Sequence, residues 1–278
     1  MNKSYVFAFV LLFSVGLVLA LGVPEFTDAV VTKSHNSVNV HIPENAVEVS
    51  PGAFFIGNSV DVDGSILEGY AIIDYKYKKE NVKPNGVGGK PEKGSVCYAF
   101  LASGAKWKNQ ESYLINPANA AGLEEQIIRD VVRDAIIEWE VAAGKEIFGN
   151  EVSGFVDGAS IGNSANGQNE VVFGSIDNPG VIAVTYVWGI FGGNPSNRRL
   201  VEWDQVYNQN DFSWSFIGEA GKMDFENIAQ HELGHSLGLG HPGDGCTEET
   251  MFRYASYGET KKRDLNSGDI EGIKKLYK

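Results

Sequence analysis

Basic residues are in short supply. The 278-residue chain carries 23 Lys and Arg against 36 Asp and Glu, a net charge of −13. A surface that acidic repels nucleic-acid phosphates and anionic membranes, so neither is expected as a partner. Strong compositional bias is also missing, with 43% of residues hydrophobic and 21% charged. That excludes a coiled coil, a collagen-like repeat and a fully disordered chain. It leaves enough apolar residues for one domain of ordinary size plus a small extra module. No internal repeat is visible. Cysteine is nearly absent: Cys97 and Cys246 are the only two.

Only one long apolar run occurs, and it lies at the start. Lys3 is followed by an uncharged stretch from Ser4 to Val23, and Ala20-Leu21-Gly22 places small residues at a signal-peptidase site. This pattern reads as a secretory signal over residues 1–22, giving a secreted protein with no membrane contact after cleavage. An uncleaved membrane anchor is the alternative, because the run approaches spanning length. In an oxidising compartment Cys97 and Cys246 invite a disulfide, which would close a loop of about 150 residues and be worth about 4–5 kcal/mol in the chain-entropy model. Two unpaired buried thiols are the other reading.

Residues 23–77 read as a β-rich segment. Ala53-Phe54-Phe55-Ile56 and Ile66 through Tyr75 flank Asp63-Gly64, a strong hairpin signal. Residues 78–94, rich in Lys, Gly and Pro, read as a linker, which places a domain boundary there. Residues 95–278 then form the main domain. A helical stripe runs over 122–143 through Ile127, Val131, Val132, Ala135, Ile136 and Trp139. Strands are expected at Val171-Val172-Phe173, Val181 to Trp188 and Leu200 to Tyr207. A second helix starts after Asp224 as N-cap, and a third near Asn266 with Asp269 three residues on. This order of elements indicates an α+β fold.

Three of the five histidines fall within His231-Glu232-Leu233-Gly234-His235-Ser236-Leu237-Gly238-Leu239-Gly240-His241. His231 and His235, four apart on a helix, share one face and are spaced to reach a single Zn²⁺. Gly238 accepts the left-handed conformation that ends the helix and brings His241 round as third metal ligand. Three neutral imidazoles leave a fourth position for water, as in catalytic sites. Zinc lowers the pKa of that water, and Glu232 beside it is the catalytic base that activates it to attack a peptide carbonyl. A closed structural site would need a fourth protein ligand, for which Cys246 and Asp244 are the candidates. His35 and His41 are expected at the surface.

This segment resembles the long zinc signature of the metzincin metalloproteases, and its flanks resemble the matrixin branch. Ala105-Lys106-Trp107 with Tyr113-Leu114-Ile115 is similar to the matrixin entry strand. Gly167 to Gly174 is similar to the segment before the sheet edge, and Leu265 to Ile273 with Leu276-Tyr277 to the closing helix. The resemblance covers roughly residues 97–278. It implies a zincin catalytic domain: a twisted, mostly parallel sheet with an antiparallel edge strand, an active-site helix and a C-terminal helix, preceded here by a small β-hairpin module. It implies one catalytic Zn²⁺, protein or peptide substrates, and a methionine turn at Met251, for which ordinary core packing is the plain alternative. Substrate docking as an extra strand on a sheet edge points to Leu200–Tyr207, which periodicity alone reads equally well as a central strand.

Some features depart from the family. Phe252-Arg253-Tyr254 follows Met251 in place of Tyr-Pro, and no His lies between residues 42 and 230 to bind a second zinc. Calcium is a family habit without a nameable site here. Matrixin latency often uses a propeptide thiolate, but Val96 and Tyr98 flank Cys97 in place of the expected Arg and Gly, so a Cys97–Cys246 bridge is preferred. Residues 23–94 read as either a propeptide or a lasting accessory module. The function expected is a secreted zinc-dependent endopeptidase. Its rival is an exported zinc-containing surface or binding protein without turnover.

Overall fold

Two near-continuous runs of buried side chains, Val181–Ile190 and Arg199–Asn208, pair with each other inside a ten-stranded sheet. Strands buried on both faces have no polar side to alternate with, so they take interior positions. The structure, a computed structural model, describes residues 38–42, 46–77 and 96–278. The secretory signal read over residues 1–22 and the linker at 78–94 lie outside the described residues.

In chain order the first strands are β1 (Val38–Val40), β2 (Val47–Ser50), β3 (Ala53–Val60), β4 (Ile66–Lys76), β5 (Ala99–Phe100) and β6 (Glu111–Asn116). Then follow β7 (Phe148–Glu151), β8 (Asn169–Ile176), β9 (Val181–Ile190), β10 (Arg199–Asn208), β11 (Trp214–Ser215), β12 (Met223–Asp224), β13 (Leu239–Gly240) and β14 (Tyr254–Ala255). The helices are α1 (Glu125–Ala143), α2 (Phe225–Ser236) and α3 (Ser267–Tyr277). The main sheet has the order β2-β3-β4-β9-β10-β8-β6-β7, with β1 added to β8 and β14 to β4. Strands β10, β8, β6 and β7 run parallel, and β9 runs antiparallel to β10. The α+β class expected from the sequence is thus present, with a sheet that mixes both pairings.

Local chemistry explains the helices. Glu124 caps α1 by accepting from the Ile127 N–H, and Asp224 caps α2 by accepting from the Asn227 N–H at 3.0 Å. Asp269 Oδ2 accepts from the Asn266 N–H at 2.9 Å, one half of a capping box for α3. The buried face of α1 is Ile128, Val132, Ala135, Ile136 and Trp139. Ile127, assigned to that stripe from the sequence, is exposed because its position faces out beside the cap. The Trp139 indole donates to the Gln230 carbonyl at 2.9 Å, locking α1 to α2.

Two expectations change. The hairpin of β3 and β4 forms around Asp63-Gly64, but it is not a module set apart. Residues Glu68 to Tyr75 of β4 pair antiparallel with Gly189 to Val181 of β9. Ala71, Ile72 and Ile73 are fully buried, which an isolated two-stranded hairpin could not achieve. Gly69 belongs to the same fit: a Cβ there would stand 2.4 Å from Cζ3 of Trp188. The second change concerns residues 200–207. They lie in β10, an interior strand between β9 and β8, so they present no free edge.

Cys97 and Cys246 are joined in a disulfide across 149 residues, tying the entry to β5 to the loop after His241. Replacing both by Ser should lower unfolding stability by about 5 kcal/mol in the chain-entropy model. Calorimetry of the double variant against the oxidised wild type measures this, and equal stabilities would contradict it.

Buried carboxyls in the sheet give the fold a pH dependence. Glu202 on β10 is 1% exposed, and its pKa is pushed up to about 7. Burial is the main cause, opposed by the N–H groups of Gly167 and Asn166 and reinforced by Glu170. The folded state therefore holds a proton that the unfolded chain, with an ordinary Glu pKa near 4.3, releases earlier. Stability from this group is complete below about pH 4.3 and is lost as the pH rises through about 7. Glu202→Gln should flatten the fall in urea midpoint over that window, and an unchanged pH profile would contradict the assignment.

Candidate metal centre

The α2 helix carries the zinc-type motif into the interior, and His231, Glu232 and His235 on it have no exposure. The helix ends as the spacing requires. Gly238 takes φ +99°, and a Cβ there would meet the Ala105 carbonyl at 2.8 Å. The Gly238 N–H donates to the His235 carbonyl at 2.9 Å, and β13 then pairs with β5, so that His241 faces back toward the helix. The Trp107 indole holds the Ser236 carbonyl at 2.8 Å and the Tyr277 hydroxyl holds that of Leu237 at 3.0 Å. The turn is thereby fixed from two sides.

Each imidazole is oriented by a backbone carbonyl. Nδ1 of His231 lies 2.5 Å from the Thr250 oxygen, that of His235 2.9 Å from Leu239, and that of His241 2.8 Å from Pro51. A carbonyl oxygen only accepts, so each Nδ1 carries the proton and each neutral ring presents Nε2 as a bare lone pair. The three Nε2 atoms converge, with His235 3.1 Å from both His231 and His241. Burial holds the pKa of His231 down to about 3, with Asp74 opposing, so that ring is neutral near pH 7, and burial lowers the pKa of His235 as well.

Asp74 of β4 completes the group. Its Oδ1 lies 2.7 Å from Nε2 of His231 and 3.0 Å from that of His241, and its Oδ2 lies 3.6 Å from that of His235. Asp74 is 2% exposed, and its Oδ2 has no hydrogen-bond partner. Lone pairs and a carboxylate crowded together without protons repel one another unless a cation lies among them. Ligands in a tetrahedral zinc site at 2.0–2.1 Å stand about 3.3 Å apart, close to the separations here. The donor atoms of Asp74, His231, His235 and His241 all lie within 4.8 Å of one another. A nitrogen-rich set with one carboxylate oxygen suits Zn²⁺. Among the described residues no second group of three such side chains is close enough to share an ion, so the calcium suggested by the resemblance finds no site of this kind.

The motif alone suggested only water beside the three rings, and the fold sets a protein side chain against them. The carboxylate of Asp74, 157 residues upstream of His231, stands beside their Nε2 atoms. The two fourth-ligand candidates read from the sequence are engaged elsewhere: Cys246 in the disulfide with Cys97, and Asp244 with Arg253 at 2.7 Å. Of the two remaining histidines, His41 is exposed beside Asp177, and His35 lies outside the described residues.

Glu232 faces the same space. Its Oε2 accepts from the Thr185 hydroxyl on β9 at 2.5 Å, while Oε1 has no partner. Burial, reinforced by the neighbouring Asp74 carboxylate, pushes its pKa well above the usual range. Met251 is buried against the helix, and its sulfur would lie 2.2 Å from a Cβ built on Gly234. Asp269 of α3 accepts from the N–H groups of Thr250 at 2.7 Å and Met251 at 3.1 Å. It thus places the carbonyl that orients His231. Buried Lys262, whose Nζ lies 3.3 Å from Nδ1 of His231, backs the same ring.

Sequence reasoning missed Asp74, Thr185, Asp269 and Lys262. Only Asp74 carried a visible signal, as a lone charge inside the apolar strand Ala71-Ile72-Ile73-Asp74-Tyr75.

The contact between Gly234 and Met251 generates a direct test. Gly234→Ala drives a methyl group into Met251 and toward Trp139, whose Cζ2 would be 2.9 Å away. A loss of about 1–3 kcal/mol of unfolding free energy is expected from overpacking. Urea denaturation measures it, and an unshifted midpoint would refute the packing described.

Comparison with known proteins agrees with this geometry. A family model described as Peptidase_M10, matrixin, matches residues 106–278. Metalloendoproteinase 2-MMP of Arabidopsis thaliana is 41% identical over 83 residues, covering 30% of this chain and 21% of its own length. Metalloendoproteinase 1-MMP of the same plant is 45% identical over 56 residues, covering 20% and 14%. Matrilysin of Homo sapiens is 40% identical over 67 residues, covering 24% of each. The matched part is thus less than a third of each of these relatives. With the family match spanning most of the chain and ending on α3, this chain belongs to the matrixin family of metallopeptidases.

Proposed function

We propose that the protein is an exported zinc-dependent endopeptidase acting on protein or peptide substrates. The observation that carries this reading is the unpaired Oε1 of buried Glu232 beside three imidazoles whose Nε2 lone pairs converge. His231, His235 and His241 would hold the zinc, which when bound would supply Lewis acidity toward a water molecule and a peptide carbonyl. Glu232 takes a proton from the attacking water at Oε1 and returns it to the leaving amine. Thr185 holds the other oxygen, so the carboxyl keeps one orientation through both transfers. The carbonyls of Thr250, Leu239 and Pro51 keep each ring in the tautomer that offers Nε2.

The strand expected to receive an extended substrate moves from β10 to β9. One edge of β9 pairs with β10, and the other pairs with β4, the strand that carries Asp74. Main-chain pairing along such an edge tolerates many sequences, which suits an endopeptidase. Export rests on the N-terminal sequence pattern, and no helix among the described residues is long and apolar enough to cross a membrane.

A closed zinc site without turnover is the second reading, favoured by Asp74 in the fourth position. Such a site has no use for a second buried carboxyl with an unpaired oxygen, which costs desolvation energy and stabilises nothing. Casein hydrolysis by the zinc-loaded chain, before and after limited trypsin treatment, separates the two. Chelator-sensitive cleavage is expected, and Glu232→Ala should reduce it about 10²–10⁴-fold while keeping one zinc per chain. Undiminished cleavage by that variant, or no chelator-sensitive cleavage before or after processing, would overturn the endopeptidase reading.

A further inference from the structure

Beyond the zinc-type motif, the N-terminal segment is built into the metal centre at two points. Asp74 contributes a carboxylate, and Pro51 contributes the carbonyl that orients His241. Gly52 takes a positive φ beside that ring, and the Ile73 N–H donates to its carbonyl at 2.9 Å, which joins the two points. From these contacts we propose that Asp74 is the fourth ligand of the zinc and that β4 occupies the substrate strand's place on β9, holding the chain latent. This inference concerns the regulation of the same site and rests on the endopeptidase reading.

The main-chain pairing supports it. Around Asp74, β4 is bonded on both sides. It pairs antiparallel with β9, where Asp74 stands opposite Ala183. On the other side it runs parallel to β14, where Tyr254 stands opposite Tyr75 and the Tyr77 N–H donates to the Ala255 carbonyl at 2.8 Å. A substrate strand would need the same edge of β9, so β4 and a substrate exclude each other. The carboxylate then adds what an ordinary neighbouring strand would lack. Asp74 reaches the Nε2 atoms of all three histidines, while its side chain is 3% exposed. A carboxylate buried there without a cation would be a heavy desolvation cost, and as a zinc ligand it is compensated.

Latency held by a carboxylate also fits the cysteines. The thiol blocking ligand weighed from the sequence is not available, because Cys97 is bonded to Cys246. Asp74 takes that part with oxygen chemistry, which oxidants and thiol-alkylating reagents do not reverse. Release requires β4 to leave the sheet.

The test uses the full chain loaded with Co²⁺ in place of Zn²⁺ and reads the visible d–d absorption with and without azide. The wild-type spectrum should stay unchanged by azide, since the fourth position is filled from within. Asp74→Ala should show a different spectrum that azide shifts further, and its affinity for Zn²⁺ in a chelator competition should fall about 10-fold or more. Asp74→Asn, which keeps the shape, carries the same comparison if the Ala variant does not fold. An azide-sensitive wild type, or a variant spectrum identical to wild type, would overturn the proposal. The endopeptidase reading fails separately. If the spectra behave as expected while trypsin-treated chain never cleaves casein, Asp74 remains a ligand and the site is a closed structural one.

Discussion

Three imidazole nitrogens without protons, pressed together in the interior, constitute the constraint around which this molecule is arranged. Each Nδ1 proton is committed to a carbonyl, so no hydrogen bond can link the converging Nε2 atoms. Their mutual repulsion, with a carboxylate added, makes sense only around a positive ion. The packing beneath α2, the turn at Gly238 and the route of β4 all serve to hold that arrangement.

The holders come from well-separated parts of the chain. Asp269 on α3 fixes Thr250 and Met251, and Thr250 fixes His231. Trp107 and Tyr277 clamp the end of α2, and β13 returns His241 along β5. Pro51, near the start of the described chain, fixes His241 itself. A mobile exposed loop could not keep three rings to this tolerance, since orientation of metal ligands depends on partners that are themselves fixed. The disulfide between Cys97 and Cys246 adds a covalent tie close to the same turn.

Much of the centre was legible from local spacing. The interval between His231 and His235, the glycine at 238 and the histidine at 241 each act within a few residues, where helix geometry decides the outcome. The N-cap at Asp224, the capping pair Asn266 and Asp269, the hairpin at Asp63-Gly64 and most of the buried face of α1 are local in the same sense. What stayed hidden depends on long-range pairing. Periodicity could not say that β4 joins β9, and it left β10 equally readable as edge or interior. Thr185 and Asp269 are ordinary residues in their own segments and acquire meaning only from what the fold sets against them. Asp74 was visible as an anomaly, a charge among Ala71, Ile72 and Ile73, but only tertiary structure tells which partner a buried charge has found.

Anomalous scattering tests most directly for the cation among the three nitrogens. Diffraction data collected on either side of the zinc absorption edge from crystals of the zinc-loaded chain should show one strong peak. That peak should lie about 2.0–2.1 Å from Nε2 of His231, His235 and His241. A difference map with no peak among those three nitrogens, from protein shown by elemental analysis to carry zinc, would contradict the account.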